Sequence, residues 1–150
     1  MRPDSRLSRV LHALLHLDDM GGPATSDLLA TMLRTNPAVV RRTMAGLRNA
    51  GIVSSTKGHG GGWALARPLE RISLLDIYTA LGAPTLFAIG NDEDDPDCRL
   101  ARAANAATDR ALDAARRRFE QQIAAISVAQ IAEEWRAGAP RGAMAHPVQG

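Results

Sequence analysis

The sequence predicts a mainly α-helical protein with a small β-hairpin and a long helix in its second half. Apolar residues recur at three- and four-residue spacing in several segments, which indicates amphipathic helices. Two short apolar and β-branched runs flank the glycine-rich stretch "KGHGGG", which is typical of a hairpin. Aromatic residues are only 3% of the 150 residues, so we expect a core of aliphatic side chains.

The first predicted helix covers residues 5–18, where six Leu and Val residues form one broad apolar face. "MGGP" then interrupts the pattern. A second helix of roughly nine residues is expected to start at Thr25, a favourable N-cap. Asp27 lies in its first turn, where the helix dipole stabilises a negative charge.

The third predicted helix begins at Asn36, because Asn is a good N-cap and Pro37 is tolerated at the first helical position. Gly51 is expected to end it. Its inner face consists of Val39, Val40, Met44 and Leu47, next to Thr43. A short helix, a tight turn and a longer basic helix form a helix-turn-helix, whose second helix can enter a DNA major groove.

The hairpin follows this helix directly, with "IVSST" and "WALAR" as its strands, so it is expected to form a wing. Ser73 and Asp76 have the spacing of a capping box at the start of a fourth helix. A turn-rich acidic loop comes next, and a long helix is predicted over residues 97–126. A short amphipathic segment follows the long helix.

Three regions result from this assignment. Residues 1–82 are predicted to form a winged helix-turn-helix DNA-binding domain. Residues 83–132 hold the loop, a long dimerisation helix and a short C-terminal helix, and residues 133–150 are predicted to be a disordered tail. The apolar stripe of the long helix is rich in alanine, and contact with a second subunit would bury it.

Charge is distributed unevenly along the chain. Residues 1–73 contain ten Arg or Lys and five Asp or Glu, whereas residues 74–98 contain six acidic residues and no basic ones. The basic first half indicates a polyanionic partner. A single cysteine excludes an intrachain disulfide framework. No apolar run is long enough to cross a membrane and no signal-peptide pattern is present, so we expect a cytoplasmic location without a membrane partner.

The glycine-rich hairpin and the segment after it also carry a family resemblance. "GIVSSTKGHGGGWALARP", residues 51–68, and "ISLLDI", residues 72–77, resemble the Rrf2 family of bacterial winged helix-turn-helix transcriptional regulators. The resemblance extends over residues 5–132. It implies a homodimer that binds a partly palindromic double-stranded DNA operator, with the third helix and wing on DNA and the long helix at the dimer contact.

Many members of that family hold an iron–sulfur cluster with three cysteines near the start of the long helix. Here the matching loop has Cys98 alone, and acidic residues do not replace thiolates around a soft cluster. We therefore expect no cluster and no other cofactor. Cys98 can be an inert residue, a redox or electrophile sensor, or an intersubunit disulfide or metal ligand.

The residues predicted to contact DNA lie on the third helix and at the wing tip: Thr35, Asn36, Ala38, Arg41, Arg42, Lys57, His59, Gly60 and Gly61. Arginine can pair with guanine O6 and N7 or with phosphates. The alternative for the helix is a solvated face. Arg48 suits a phosphate or an intradomain contact equally, and Trp63 suits a wing anchor better than a DNA contact.

Two other clusters have plain structural interpretations. The acidic run at residues 92–97 is expected to be a solvated loop, since it lacks the spacing of a known calcium loop. His12 and His16 have metal-compatible spacing, but no acidic or cysteine partner is evident. We expect these histidines at surface or partly buried positions and predict no metal site.

These observations together predict a sequence-specific DNA-binding transcriptional regulator. We expect a homodimeric repressor that responds to a redox signal or a small-molecule effector. The alternative is a winged-helix protein-interaction module, or a regulator that needs a corepressor. An enzyme is not expected, because no Ser-His-Asp or Cys-His set stands out and no Walker motif accompanies the glycines.

Overall fold

The computed structural model describes residues 4–87, 89 and 98–138. The elements found there confirm the predicted fold, which is mainly α-helical with one β-hairpin. The helices are α1 (Arg6–Met20), α2 (Ser26–Met32), α3 (Pro37–Asn49), α4 (Leu74–Ala80), α5 (Arg99–Ala124) and α6 (Val128–Gly138). The strands are β1 (Val53–Thr56) and β2 (Gly62–Leu65), and a 3₁₀ turn occupies Leu69–Arg71. Within the described residues, no helix has the length and hydropathy needed to span a bilayer.

The predicted helix starts are confirmed by their capping hydrogen bonds. The Thr25 hydroxyl accepts from the backbone three residues on at 3.2 Å, and Asn36 Oδ1 accepts from the Ala38 N–H at 2.7 Å. Ser73 and Asp76 form a reciprocal capping box, with side-chain to backbone distances of 3.1 and 2.9 Å. Each cap satisfies backbone donors that the helix itself leaves unpaired.

One aliphatic core joins the three N-terminal helices, β1 and the segment before α4. Its largest side chains with almost no exposure are Val10, Leu14, Leu29, Met44, Leu47, Ile52, Val53, Ile72, Ile77 and Val128. The same core cluster of described residues also includes the aromatic side chain of Trp63. The core therefore depends on close packing of branched aliphatic residues, as the composition predicts.

The sequence assigns the short C-terminal helix to the region of residues 83–132 with the long helix, whereas in the structure this helix, α6, packs into the core of the N-terminal domain. Val128 and Ala132 are completely buried there. Backbone hydrogen bonds from Val128 N to Ile72 O at 2.8 Å and from Leu74 N to Ile126 O at 2.9 Å join the α5–α6 junction to the segment before α4. The domain predicted over residues 1–82 thus includes residues from the C-terminal helix.

The same helix also continues past its predicted end. The sequence predicted a disordered tail over residues 133–150, whereas residues 133–138 are helical and the remainder lies outside the described residues. Arg136 donates to Asp18 at 2.8 Å and to Asp19 at 2.9 Å, both on α1. Its hydrogen bonds to the carboxylates of Asp19 and Asp18 raise the pKa of the Arg136 guanidinium. The ion pairs attach the last turns of α6 to α1.

Helix α5 contacts the domain near its C-terminal end. Phe119 packs edge-on against Tyr78 with ring centroids 5.4 Å apart, and Ile123 is buried. Nearer its start the apolar stripe is exposed in the single chain: Leu100, Ala104, Ala107, Ala111 and Ala115. The predicted acidic loop at residues 92–97 lies outside the described residues.

The hairpin pairs antiparallel, with Ser55 opposite Trp63 and Thr56 opposite Gly62. Gly62 has a φ of +152°, and a methyl group on it would lie 2.6 Å from the carbonyl oxygen of Ala24. That distance is too short for any side chain, and the obstacle is backbone. Gly62 is therefore required where the hairpin meets the segment before α2.

We expect Gly62→Ala to lower the free energy of unfolding by at least about 2 kcal/mol, because backbone must move to admit the methyl group. Gly22→Ala is the matched control, since its added methyl would meet open space at an ordinary φ. Urea denaturation followed by circular dichroism measures both. Equal stability of the two variants would contradict the close approach of the hairpin.

Candidate nucleic-acid interface

The turn between α2 and α3 sets the angle of the helix-turn-helix. The Thr35 N–H bonds to Ala30 O at 2.9 Å and the Arg34 N–H to Thr31 O at 3.3 Å. This pair of bonds is the Schellman motif, which ends a helix on a residue in the left-handed conformation. Here that residue is Arg34, with a φ of 50°.

Two other helices end in the same way, but with glycine in the left-handed position. Gly51 has a φ of 72° after α3, and Gly82 has a φ of 86° after α4. Glycine carries no Cβ penalty there, whereas an ordinary L-residue costs roughly 1–2 kcal/mol. Arg34 is exposed on the same helix-turn-helix as the predicted DNA contacts, and the sequence interpretation missed it. The sequence signal that could have identified Arg34 is that the turn after α2 has neither Gly nor Asn at the position where a left-handed residue ends the helix.

Helix α3 separates its buried and exposed faces clearly. Val40, Met44 and Leu47 are buried, while Ala38, Arg41 and Arg42 are exposed. Neither Arg41 nor Arg42 belongs to an ion pair found among the described residues. Two guanidinium groups are therefore available on the outer surface of this helix.

The residues at the start of α3 are partly engaged in the fold. Thr35 is half-buried, and Asn36 is exposed but uses its side-chain oxygen to cap the helix. The amide nitrogen of Asn36 is the group left for an external acceptor. Ala38 offers only a methyl group, which suits apolar contact rather than hydrogen bonding.

The wing tip brings the other predicted residues together in an exposed turn. Lys57, His59 and Gly60 are exposed, and Gly60 has a φ of 76°. The Gly61 N–H bonds to Gly58 O at 3.1 Å. A side chain on Gly61 would collide with the carbonyl of Thr56, so this glycine is required by the hairpin itself.

Trp63 fastens the wing to the helix-turn-helix. Its backbone exchanges two 2.8 Å hydrogen bonds with Ala24, just before α2. Its indole Nε1 donates to Ser26 Oγ at 2.9 Å, and the residue is only 8% exposed. The anchor interpretation of Trp63 is therefore the one that the structure supports.

Arg48 makes the intradomain contact that was one of its two predicted roles. Its Nη1 donates to Ser55 Oγ on β1 at 3.1 Å. The guanidinium lies 5.8 Å from the centre of the Trp63 ring, within the range of a cation–π interaction. Arg48 thus links α3 to the hairpin, whereas no such contact within the domain is found for Arg41 or Arg42 among the described residues.

Cys98 lies apart from these groups, half-buried at the N-cap position of α5. Its thiol makes no capping hydrogen bond. In the described ranges, no group of three or more His, Cys, Asp or Glu side chains is placed to hold a metal ion. The structure therefore joins α3 to the hairpin that carries the predicted wing residues, through Arg48 and Ser55, whereas Cys98 lies at the start of α5.

Comparisons with known proteins agree with this architecture. The family model Rrf2, described as "Iron-dependent Transcriptional regulator", matches residues 4–134. The Bacillus subtilis (strain 168) protein YwnA, named as an HTH-type transcriptional regulator, is 31% identical over 129 residues, covering 85% of this chain and 95% of YwnA.

Two solved structures share the fold. A crystal structure of a protein from Lactobacillus plantarum, titled as a transcriptional regulator, has a TM-score of 0.77 at 22% identity, covering 89% of this chain and 91% of the other. IscR of T. potens has a TM-score of 0.66 at 20% identity, covering 95% and 94%. Both have the winged helix-turn-helix architecture described above.

We expect Arg34→Gly to raise the free energy of unfolding by about 0.5–1 kcal/mol, because it relieves the left-handed backbone while making the unfolded chain more flexible. Arg42→Gly is the control, and it should cost about 1 kcal/mol since it lies inside α3. Urea midpoints with unchanged m-values measure both effects. A loss of stability in Arg34→Gly would show that the side chain itself supports the turn.

Proposed function

The chain belongs to the Rrf2 family of transcriptional regulators, and from that premise we propose that it is a homodimeric repressor that binds a specific DNA operator. We place it on the chromosome in the cytoplasm, where a redox or small-molecule signal would release it. We assign no enzymatic activity, because the family consists of regulators.

The observation that carries this proposal is the pair Arg41 and Arg42, exposed on α3 beside a wing that Trp63 holds in place. A helix inserted in the major groove can pair each guanidinium with guanine O6 and N7 or with a phosphate. Lys57 at the wing tip would contact the backbone or minor groove, and His59 would add charge when protonated.

The remaining predicted residues complete this surface. Thr35, the Asn36 amide nitrogen and the Ala38 methyl would face the groove at the start of α3. Gly60 and Gly61 would allow the wing backbone to approach the DNA closely. Arg34 at the turn adds a further cation near the phosphates.

The proposed dimer forms through α5. Its exposed stripe of Leu100 and four alanines lets two helix backbones approach closely. Two α3 helices related by this contact would read half-sites about one DNA turn, or a multiple of it, apart. The stripe is apolar surface that a single chain leaves in water.

For the signal, we propose either Cys98 oxidation or a small molecule, and no iron–sulfur cluster, since one cysteine supplies one thiolate. A cavity of about 400 Å³ lies between the segment after α4 and α5, lined in part by Tyr78, Phe87, Leu112 and Arg116. Its size suits a small ligand, which supports the small-molecule alternative.

We expect the double change Arg41→Ala and Arg42→Ala to weaken operator binding at least about 100-fold, because two guanidinium contacts are lost together. Fluorescence anisotropy with fragments upstream of the gene, titrated with salt, measures this. The slope of log affinity against log salt should also become shallower.

The charge-matched control is Arg110→Ala with Arg117→Ala, which removes two exposed arginines from α5. It should bind like the wild type. If the α3 double variant bound equally well, our interface would be misplaced. If the purified wild type bound no fragment even at low salt, a corepressor or a protein partner would be required instead.

We expect Ala107→Glu to convert the dimer to a monomer, because it places a charge within the apolar stripe of α5. Ala106→Glu is the control, since Ala106 is exposed on another side of the same helix. Size-exclusion chromatography with light scattering reports the mass of each. A dimeric Ala107→Glu would exclude the stripe as the subunit contact.

A further inference from the structure

We propose that His12 and His16 chelate a divalent transition-metal ion, with Cu²⁺ and Ni²⁺ as the ions of best fit. The two residues lie one turn apart on α1, and a hydrogen bond of 2.9 Å joins their Nε2 atoms. Imidazole nitrogen is the preferred protein ligand for such ions. This site is separate from the DNA-binding surface and does not depend on the proposed function.

The chemistry of two imidazole ligands favours particular ions, and the distance between their nitrogens allows both to bind one ion. Metal–imidazole bonds are about 2.0–2.1 Å long. Two such bonds at a right angle place their nitrogens about 2.9 Å apart, whereas a tetrahedral angle requires about 3.4 Å. The 2.9 Å hydrogen bond shows that the two Nε2 atoms can come as close as adjacent ligands of one ion require, and nitrogen ligands bind Cu²⁺ most strongly among the divalent first-row ions, with Ni²⁺ also favoured.

The two histidines lie on a helix whose opposite face is packed into the core. Val10, Ala13, Leu14 and Leu17 of the same helix are buried in the core, so the backbone that carries His12 and His16 is held in place. The imidazole rings are 4.6 Å apart at their centroids and tilted by 36°. Binding would therefore order few additional groups, which favours affinity.

Space for the ion and its other ligands exists beside the pair. A cavity of about 350 Å³ is lined by both histidines together with Leu7, Ser8, Leu11, Leu15 and Trp135. Water would complete the coordination from this side. In the bound state each imidazole would be neutral, with its proton on Nδ1 and its Nε2 lone pair on the metal, so the hydrogen bond between the rings would be replaced by two metal–nitrogen bonds.

The main experiment is isothermal titration of the untagged full chain with Cu²⁺ and with Ni²⁺. We expect one ion per chain at this site, and binding at least about tenfold weaker in His12→Asn and in His16→Asn, because each keeps a single imidazole. His59→Asn is the control, since that residue is a lone exposed histidine on the wing.

A rescue variant separates chelation from a merely structural role of the histidines. Ser8→His combined with His16→Asn moves the pair one turn along α1, to residues 8 and 12, beside the same cavity. It should recover most of the affinity that His16→Asn loses. A structural defect caused by removing His16 would not be repaired in this way.

Two further readouts locate the ion. Cu²⁺ should quench the fluorescence of Trp135, which borders the cavity, so Trp135→Phe should lose most of the quenching while keeping the titrated affinity. Cu²⁺ should raise the melting temperature of the wild type but not of His12→Asn. Equal Cu²⁺ affinity of the wild type and His12→Asn would overturn the proposal.

Discussion

The attachment of Trp63 is the contact on which the arrangement of the DNA-binding surface depends. Its backbone pairs with Ala24, its indole donates to Ser26 and its ring lies beneath Arg48. One residue thus joins the hairpin to the start of α2 and to the end of α3. An isolated two-stranded hairpin is marginal in water, so this anchor gives the wing a defined position relative to Arg41 and Arg42.

The sequence predicted best what short-range chemistry determines. The N-caps at Thr25 and Asn36 and the capping box at Ser73 each involve groups within three residues, so a local pattern suffices. The packing of α6 against the N-terminal domain could not be predicted from such a local pattern. Ala132 and Val128 are apolar residues of an ordinary amphipathic helix, and only the assembled core shows which surface they cover.

The residues of the candidate site also fall into two groups: those that the sequence identifies and those whose roles depend on tertiary contacts. Composition and spacing located the exposed Arg41, Arg42 and Lys57, because basic residues on a helix face or hairpin tip need no tertiary partner to be recognised. The roles of Arg48 and Gly61 depend on distances across the hairpin, to Ser55 and to Thr56. The sequence did not single out Arg34, because its unusual feature is a positive backbone φ angle. That angle follows from how α2 meets α3.

The burial of α6 has a consequence for how this protein acquires its structure. The core that holds α1, α3 and the wing is complete only when Val128 and Ala132 are in place, more than 110 residues after Val10. Contacts between such distant parts of a chain are slow to form and cannot be made on the ribosome until the last helix has emerged. During synthesis the core of the DNA-binding half is therefore incomplete until α6 has been made, and a chain truncated after α5 would lack the side chains of Val128 and Ala132 that fill it.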